Sequence, residues 1–444
     1  MSTMRRRDGR PRGQVLLLVT FSFIPIFGMI GLVSDIGWMH FLKKSAQAAA
    51  DAGANAAILQ FQATVSGSSF VCGAPGVVCQ DPTACPADIT TPANPLQNAC
   101  LYAVQNGFST ARSNQSVTVA ANVTSPPPTA PGVFSASYWV TVRVSQQVPQ
   151  LFSAVLGNTT GMIAARATAA VSPSTNCIYA LDPAASGAVT VGGTASLTAS
   201  CGVYVNSSNA TALTTNGTAI LSATEYNVVG GVSVHAPLNP TPNLGAPPLT
   251  RDPLYNLPAP TVPAGCDYTN YKVNAWATPT LSPGVYCGGI SIINGTATFS
   301  PGVYILKGGG LTTQDTNSHA VGAGVMFYNT YDATHPYGPI DLNANSTVSL
   351  SAPTSGTYAG ILFFQDRTVT GTPSETFGGG STAKYEGTIY EPKSNITFSG
   401  NASLNAAYTI LVANQISMVG TSYLDDDYSS LPGGTPIKQV GLVE

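Results

Sequence analysis

The chain opens on an unbroken apolar run. From Val15 to Val33 it reads VLLLVTFSFIPIFGMIGLV, without a charged residue. As a helix, those roughly 19 residues extend about 28 Å, close to the hydrocarbon thickness of a bilayer. Pro25 falls inside the run, and a membrane helix tolerates proline where the freed carbonyl finds a partner. The next stretch, DIGWMHFLKKSAQAAADAGANAAILQF, keeps a helical pattern. Alanine has the highest helix propensity, and Gly53 costs about 1 kcal/mol relative to it. Phe41, Ala48, Ala52 and Leu59 recur at helical spacing, which predicts one buried stripe. Only the first half of such a helix, from Val15 to Phe61, is apolar enough for lipid.

Further along, PLQNACLYAVQNGFSTARS predicts a short helix. Leu96, Cys100, Ala103 and Val104 share one face, and Asn106-Gly107 supplies a stop. Strict alternation predicts strands over 116–123 and 137–144, the second with Tyr138, Val140, Val142 and Val144 on one side. A third segment, MIAARATAAV, ends at Val171. Past that point some 270 residues show no helical period. Instead a glycine, a β-former and an aromatic recur, as in Gly202-Val203-Tyr204, Gly284-Val285-Tyr286 and Gly302-Val303-Tyr304. The phrase SPGVY occurs at 282–286 and 300–304, an interval of eighteen residues, and Gly324 to Gly360 is twice that. Short strands with glycine turns at a rough period are what a stacked β-solenoid needs. The fold class is therefore mainly β: an N-terminal transmembrane helix with an Ala-rich stalk, a small α+β unit, and a C-terminal solenoid resembling a right-handed β-helix. A β-sandwich is the alternative. The expected divisions are a basic tail at 1–13, helix and stalk at 14–61, a Cys/Pro-rich loop at 62–94, the α+β unit at 95–171 and the solenoid at 172–444.

Charge settles how the first element is read. Five arginines precede the run, and only Lys43 and Lys44 follow it closely, so the N-terminus is expected in the cytoplasm. A cleaved signal has a shorter apolar core with a small-x-small site close behind. Here the first such triplet, Ala46-Gln47-Ala48, lies more than ten residues beyond. The helix is therefore expected to stay in the inner membrane as a single pass, with the bulk of the chain periplasmic or extracellular. Charged residues make up only 8% of the sequence, and after Ser45 ten basic residues face eighteen acidic ones. That balance excludes the basic footprint of a nucleic-acid binder.

All eight cysteines lie beyond residue 70, and in an oxidising compartment they pair. Cys72, Cys79 and Cys85 form a stapled loop, with Cys100 a further partner. Zinc is disfavoured because the spacing has no C-x2-C knuckle and no nearby histidine. Cys177 with Cys201 and Cys266 with Cys287 are the disulfide candidates of the C-terminal part, the alternative being small buried core residues. A bridge closing a loop of that size contributes roughly 3 kcal/mol.

The Arg12-Gly13 start, the apolar span, Asp35 with Gly37, and an Ala-rich run carrying Gln47, Asp51 and Ala52 together resemble the N-terminal segment of the TadG-like proteins of Flp/Tad pilus assembly. The resemblance covers about 46 residues. It implies a membrane-anchored component whose partners are the cytoplasmic membrane and other pilin-like or Tad assembly proteins, and a pilin-like α+β head at 95–171. Prepilin substrates carry Glu five residues after the processing glycine. Leu18 stands there after Gly13, which favours an uncleaved anchor. CGGISI, PGVYILKGGG, AGILFFQDR and GTIYEPKSNITFSG, from residue 287 to 400, resemble a region found fused to TadG-like anchors. That similarity implies architecture and no activity.

Catalytic chemistry has no strong candidate. Asp366, Arg367, Lys384, Glu386, Glu391 and Lys393 are the densest charged group in the C-terminal part. If Asp366, Arg367, Lys384 and Glu386 met in one groove they would suit a membrane-tethered polysaccharide-active enzyme; otherwise they are solvated side chains. Asp425, Asp426 and Asp427 form an acidic triplet that would suit Ca²⁺, though such a triplet is more often a turn. The four histidines are scattered, and no nucleophile elbow, Walker loop or HExxH is present. No catalytic residue and no cofactor is assigned. The expected role is structural or adhesive, with surface glycans among the targets that the Asn, Thr and Tyr side chains would suit.

Overall fold

The computed structural model describes residues 14–65, 70–123, 136–249, 251–343, 345–378, 383–399, 408–419, 421–424, 431 and 434–443. The chain divides into two compact units, the first from residues up to Thr64, Val71–Val171 and the chain from Val440, the second chiefly Ser172–Gln439.

In the first unit a single helix, α1, runs over Gln14–Thr64. Its 51 residues make a rod of about 77 Å. A second helix, α2, spans Pro95–Gln105. Asn94 caps its N-terminus through the Gln97 N–H, Pro95 occupies the first turn where no N–H is needed, and Asn106 ends it. An antiparallel sheet carries strands Gln80–Ala84, Gln115–Asn122, Tyr138–Pro149, Thr160–Pro173 and Lys438–Leu442, in that spatial order. Its first strand lies inside the segment expected to be only a stapled loop. Cys72–Cys79 and Cys85–Cys100 are bonded, and the second ties the end of that strand to α2.

The buried stripe of α1 differs from the expected one. Phe41 and Leu59 are exposed, whereas Ala46, Ala49, Ala50, Ala54, Ala57, Ile58 and Phe61 are fully buried. The reason is distance of approach. Facing them stand α2 and the strand Tyr138–Pro149, with Ala99 and Val142 among the small or β-branched residues that let the elements close tightly. Gly53 belongs to that contact: a Cβ there would meet the Ala99 carbonyl of α2 at 2.9 Å and a Val142 methyl at 3.4 Å. The glycine's propensity cost is the condition for that packing. Phe61 stacks on Tyr138 at 3.9 Å between ring centroids, and the Tyr138 hydroxyl donates to the Val78 carbonyl.

The second unit contains no helix among the described residues. Its strands pair in parallel along three ladders. The longest joins eleven strands, running from Asn243–Leu244 through Tyr226–Val228, Gly202–Val205, Asn176–Ala180, Thr409–Met418, Lys384–Phe398, Ile361–Gln365, Val325–Thr330, Gly302–Lys307 and Gly284–Ile292 to Tyr268–Val273. The order is not sequential. The last strand of this ladder in the chain, Thr409–Met418, docks between its first, Asn176–Ala180, and Lys384–Phe398. Ten rungs at about 4.8 Å separate the ladder's ends, about 48 Å. The chain bridges that distance with the Pro-rich segment 245–267, which at about 3.1 Å per residue has reach to spare.

Aromatic rings fill the interior. Tyr268, Tyr286, Tyr304, Phe327 and Phe363 follow one another at centroid distances of 4.5, 5.9, 5.3 and 5.3 Å. The SPGVY phrase has a local cause: Tyr286 and Tyr304 each send the hydroxyl back to the serine carbonyl four residues earlier, at 2.8 Å. Burying a tyrosine requires such a partner. The two phrases do not stack on each other, since Gly284 lies opposite Tyr304. Phe327 pairs directly with Phe363, so the interval from Gly324 to Gly360 is one rung with long corners, not two. Corner glycines absorb the variation. Gly288 and Gly289 in one rung and Gly308, Gly309 and Gly310 in the next all have positive φ, and each corner leaves no room for a Cβ against the other's backbone.

Candidate functional site

Three places in the molecule concentrate chemistry that packing alone does not require. The first is the apolar half of α1. Phe21, Phe23, Ile26, Met29, Ile30, Leu32 and Val33 are all exposed, so large apolar side chains cover more than half of the rod's circumference. Such a surface suits lipid and not water. The helix is long and apolar enough to cross a membrane. At the C-terminal end of that half Asp35 is buried, and its carboxylate accepts three backbone N–H groups, from Leu151 (3.1 Å), Phe152 (3.0 Å) and Ser153 (2.8 Å). The Ser153 N–H and its neighbours hold the Asp35 carboxyl below the usual carboxylate range. Gln47 also has a partner: its amide donates to Asp51 at 2.8 Å and to the Arg166 carbonyl at 2.9 Å. A shallow groove of about 420 Å³ lies on the sheet of this unit, lined by Asp81, Trp139, Arg143 and Arg166 among others, the two arginines directly opposite each other.

The second place is the returning segment of the second unit. Arg367 donates to the Tyr390 hydroxyl (2.5 Å) and to the carbonyls of Leu257 (3.0 Å) and Leu254 (2.5 Å), with its guanidinium over the Phe364 and Tyr390 rings. Tyr390 in turn donates to Asp252. Nearer the other end, Lys307, almost fully buried, donates to the carbonyls of Pro263 and Ala264, both at 2.9 Å, and lies 3.7 Å from Asp332. Two cations thus clamp one proline-rich strap against the ladder.

The third is a buried polar row at the end of the long ladder's strands. Asn329 lies opposite Gln365, and Glu391 follows on the next rung. The Asn329 and Gln365 amides both donate to the Tyr337 hydroxyl at 2.9 Å, and Tyr337 donates to Glu375 at 2.6 Å. Glu375 also accepts from Ser394 and from the Ile340 N–H. Burial pushes the Glu375 carboxyl up to about 7 in spite of these donors. Glu391 is fully buried, and among the described residues neither oxygen has a hydrogen-bond partner. Burial first, and the nearby Glu375 second, raise its carboxyl well above the ordinary carboxylate range.

The charged residues singled out from the sequence do not converge. Asp366 accepts from Thr330 and Thr368, while Arg367 holds the strap. Lys384 and Glu386 pair with each other at 2.7 Å at the start of the strand Lys384–Phe398, where it lies alongside Thr347–Ser351 and not in the long ladder. Lys393 donates its backbone N–H to Gln365. Cys177–Cys201 and Cys266–Cys287 are bonded. The second bond takes its sulfurs out of metal chemistry although His335 lies within reach of both. Asp425, Asp426 and Asp427 lie outside the described residues. What sequence reasoning missed was the strap and the polar row. The run of prolines from 247 to 263 was the available signal for the first. A lone Glu391 in a strand-like stretch was the signal for the second.

On this geometry the class is that of a chain with a long, partly apolar N-terminal helix and a sheet-rich body. The family model described as putative Flp pilus-assembly TadE/G-like matches residues 13–63, which is α1 almost end to end. No curated protein and no solved structure matches the sequence.

Proposed function

We propose that this is a structural, membrane-anchored envelope component of the Tad (Flp) pilus type, held in the inner membrane by the apolar half of α1 with its N-terminus in the cytoplasm. The observation that carries the reading is the coincidence of the TadE/G-like match with a helix that changes character midway. Its first half exposes large apolar side chains, and its second half buries alanines under a sheet. The C-terminal part is read as an exported β-solenoid. Three parallel ladders, an internal row of rings and glycine corners support that reading, and four disulfides fit an oxidising compartment. In this role α1 joins other pilin-like or Tad assembly proteins through helix packing, and the polar outer faces of the ladders make adhesive contacts, surface glycans included. The scatter of Asp366, Arg367, Lys384 and Glu386 supplies no groove for the polysaccharide-active alternative.

The test is topology. With a tag at the C-terminus and protease added to intact spheroplasts, the tag should disappear while an uncleaved, membrane-bound fragment remains. A protected tag would overturn the orientation, and a soluble, shortened protein would overturn the anchor.

A further inference from the structure

We propose that the loop Leu151–Ser153, at the tip between strands Tyr138–Pro149 and Thr160–Pro173, is a second membrane contact of this protein, seated at the outer headgroup–acyl boundary beside the anchor helix. The inference rests on the reading of α1 as a membrane anchor and extends it to a segment more than a hundred residues away in sequence.

Leu151 is 76% exposed and Phe152 45% exposed at the tip. From Val144 to Ala165 the chain carries no charged side chain, although Arg143 and Arg166 flank that stretch. Exposure of one apolar residue means little, but the position of these two is fixed. Asp35, two residues past the end of the apolar run, takes the N–H groups of Leu151, Phe152 and Ser153 on its carboxylate. The Phe152 ring lies against Gly31, where a Cβ would overlap it. Residue 31 is one helical turn, about 6 Å, deeper than Asp35. The tip is therefore tied to the helix at the level where the apolar run ends, with its ring packed below that level. Trp38 and Phe41, stacked at 5.6 Å and exposed, lie on the outer side of Asp35. Aromatics of that kind favour the headgroup layer. A carboxylate that organises the backbone of an apolar tip, with interfacial aromatics above it, sets the depth at which a membrane meets the protein. The occupant that fits is lipid, because the exposed apolar tip is tied to the helix at Gly31, whose sequence neighbours Ile30 and Leu32 are exposed apolar residues of the same run.

The experiment uses the full-length protein, purified and reconstituted into phosphatidylethanolamine/phosphatidylglycerol vesicles. p-Benzoylphenylalanine replaces one residue at a time: Leu151, Ile26 in the span, or Tyr102, an exposed residue of α2. After irradiation, lipid adducts are read by mass spectrometry. The expected result is a lipid adduct at 151 with a yield comparable to that at 26, and none at 102. Adducts at 26 without adducts at 151 would overturn the loop contact while leaving the anchor intact. Protein–protein crosslinks at 151 in place of lipid adducts would make the tip a subunit interface and overturn the proposal. Absence of adducts at both 26 and 151 would remove the anchor reading and the inference with it.

Discussion

Replacing Glu391 with methionine should stabilise the second unit at neutral pH, by an amount that follows from its surroundings. The side chain is fully buried, and neither oxygen has a hydrogen-bond partner among the described residues. Folding therefore requires the neutral acid. In the unfolded chain the carboxyl ionises near its ordinary value of 4.5. For an acid with a raised folded pKa, stability is greatest below the unfolded value and falls as pH rises, until the folded group ionises as well. Each pH unit in that window costs about 1.4 kcal/mol, so three units above 4.5 place the upper bound near 4 kcal/mol at pH 7.5. Methionine has similar length, forfeits no hydrogen bond and does not titrate. Glu375, pushed up to about 7, adds a slope of the same sign between its two values, and the variant leaves that part in place. The assay is pulse proteolysis across a urea series in detergent at pH 5.5 and 7.5, with fragments from residues 172–439 quantified by mass spectrometry. The wild type should be less stable at pH 7.5 than at pH 5.5, and Glu391→Met should remove about half or more of that difference. A variant that is less stable than wild type at pH 7.5, with the pH slope unchanged, would refute the reasoning. It would mean that the carboxylate is ionised and held by something.

Other positions make equally direct predictions. Arg367→Lys keeps the charge but cannot serve Tyr390, Leu254 and Leu257 at once, so the same urea midpoint should fall by an amount equivalent to about 2–4 kcal/mol. Lys307→Met removes both donors to Pro263 and Ala264, and limited proteolysis should show new cleavage in residues 258–266 while the ladders stay resistant. Asp35→Asn leaves one carbonyl oxygen for three N–H groups, so amide exchange at 151–153 should accelerate while the rest of the sheet is unchanged. Because the folded Asp35 carboxyl titrates below its ordinary range, wild-type protection there should persist at neutral pH and fail only as pH falls through that lowered value.

The parts of this fold legible in the sequence are those with a local cause. The apolar half of α1 announces itself by the absence of charge, α2 by Asn94-Pro95 and Asn106-Gly107, and the antiparallel strands by alternation at Val140, Val142 and Val144. The buried face of α1 does not follow hydrophobic size, because closeness of approach decides it. Phe41 and Leu59 are larger than Ala46, Ala50 and Ala57, yet a sheet packs most closely on the alanines. The period of the C-terminal part was only half legible. Rungs differ in length because corners, not strands, take up insertions, as Phe327 against Phe363 shows. Of the polar row only the isolated Glu391 is legible, since Asn329, Gln365, Glu375 and Glu391 come together through strand register.

The non-sequential order of the long ladder carries a further physical consequence. Asn176–Ala180 is the first strand of the second unit to be made, yet one of its two neighbours is Thr409–Met418. Asn414 donates to Asp182 across 232 residues of sequence. Contacts of such separation cost loop-closure entropy before they return any stability, which slows folding. Until they form, Asn176–Ala180 exposes an open parallel edge, the feature that invites mispairing. The finished molecule has this edge in its interior, where Leu411, Val412 and Ala413 cover it. The ends that remain are poor templates. Asn243–Leu244 is two residues long and follows Pro240 and Pro242, and Tyr268–Val273 carries Lys272. The strap makes this arrangement possible, because only a connection along the whole stack lets the chain start again at the far end and close on its own first strand. Arg367 and Lys307, which hold that strap, therefore act on the closure of the ladder as a whole.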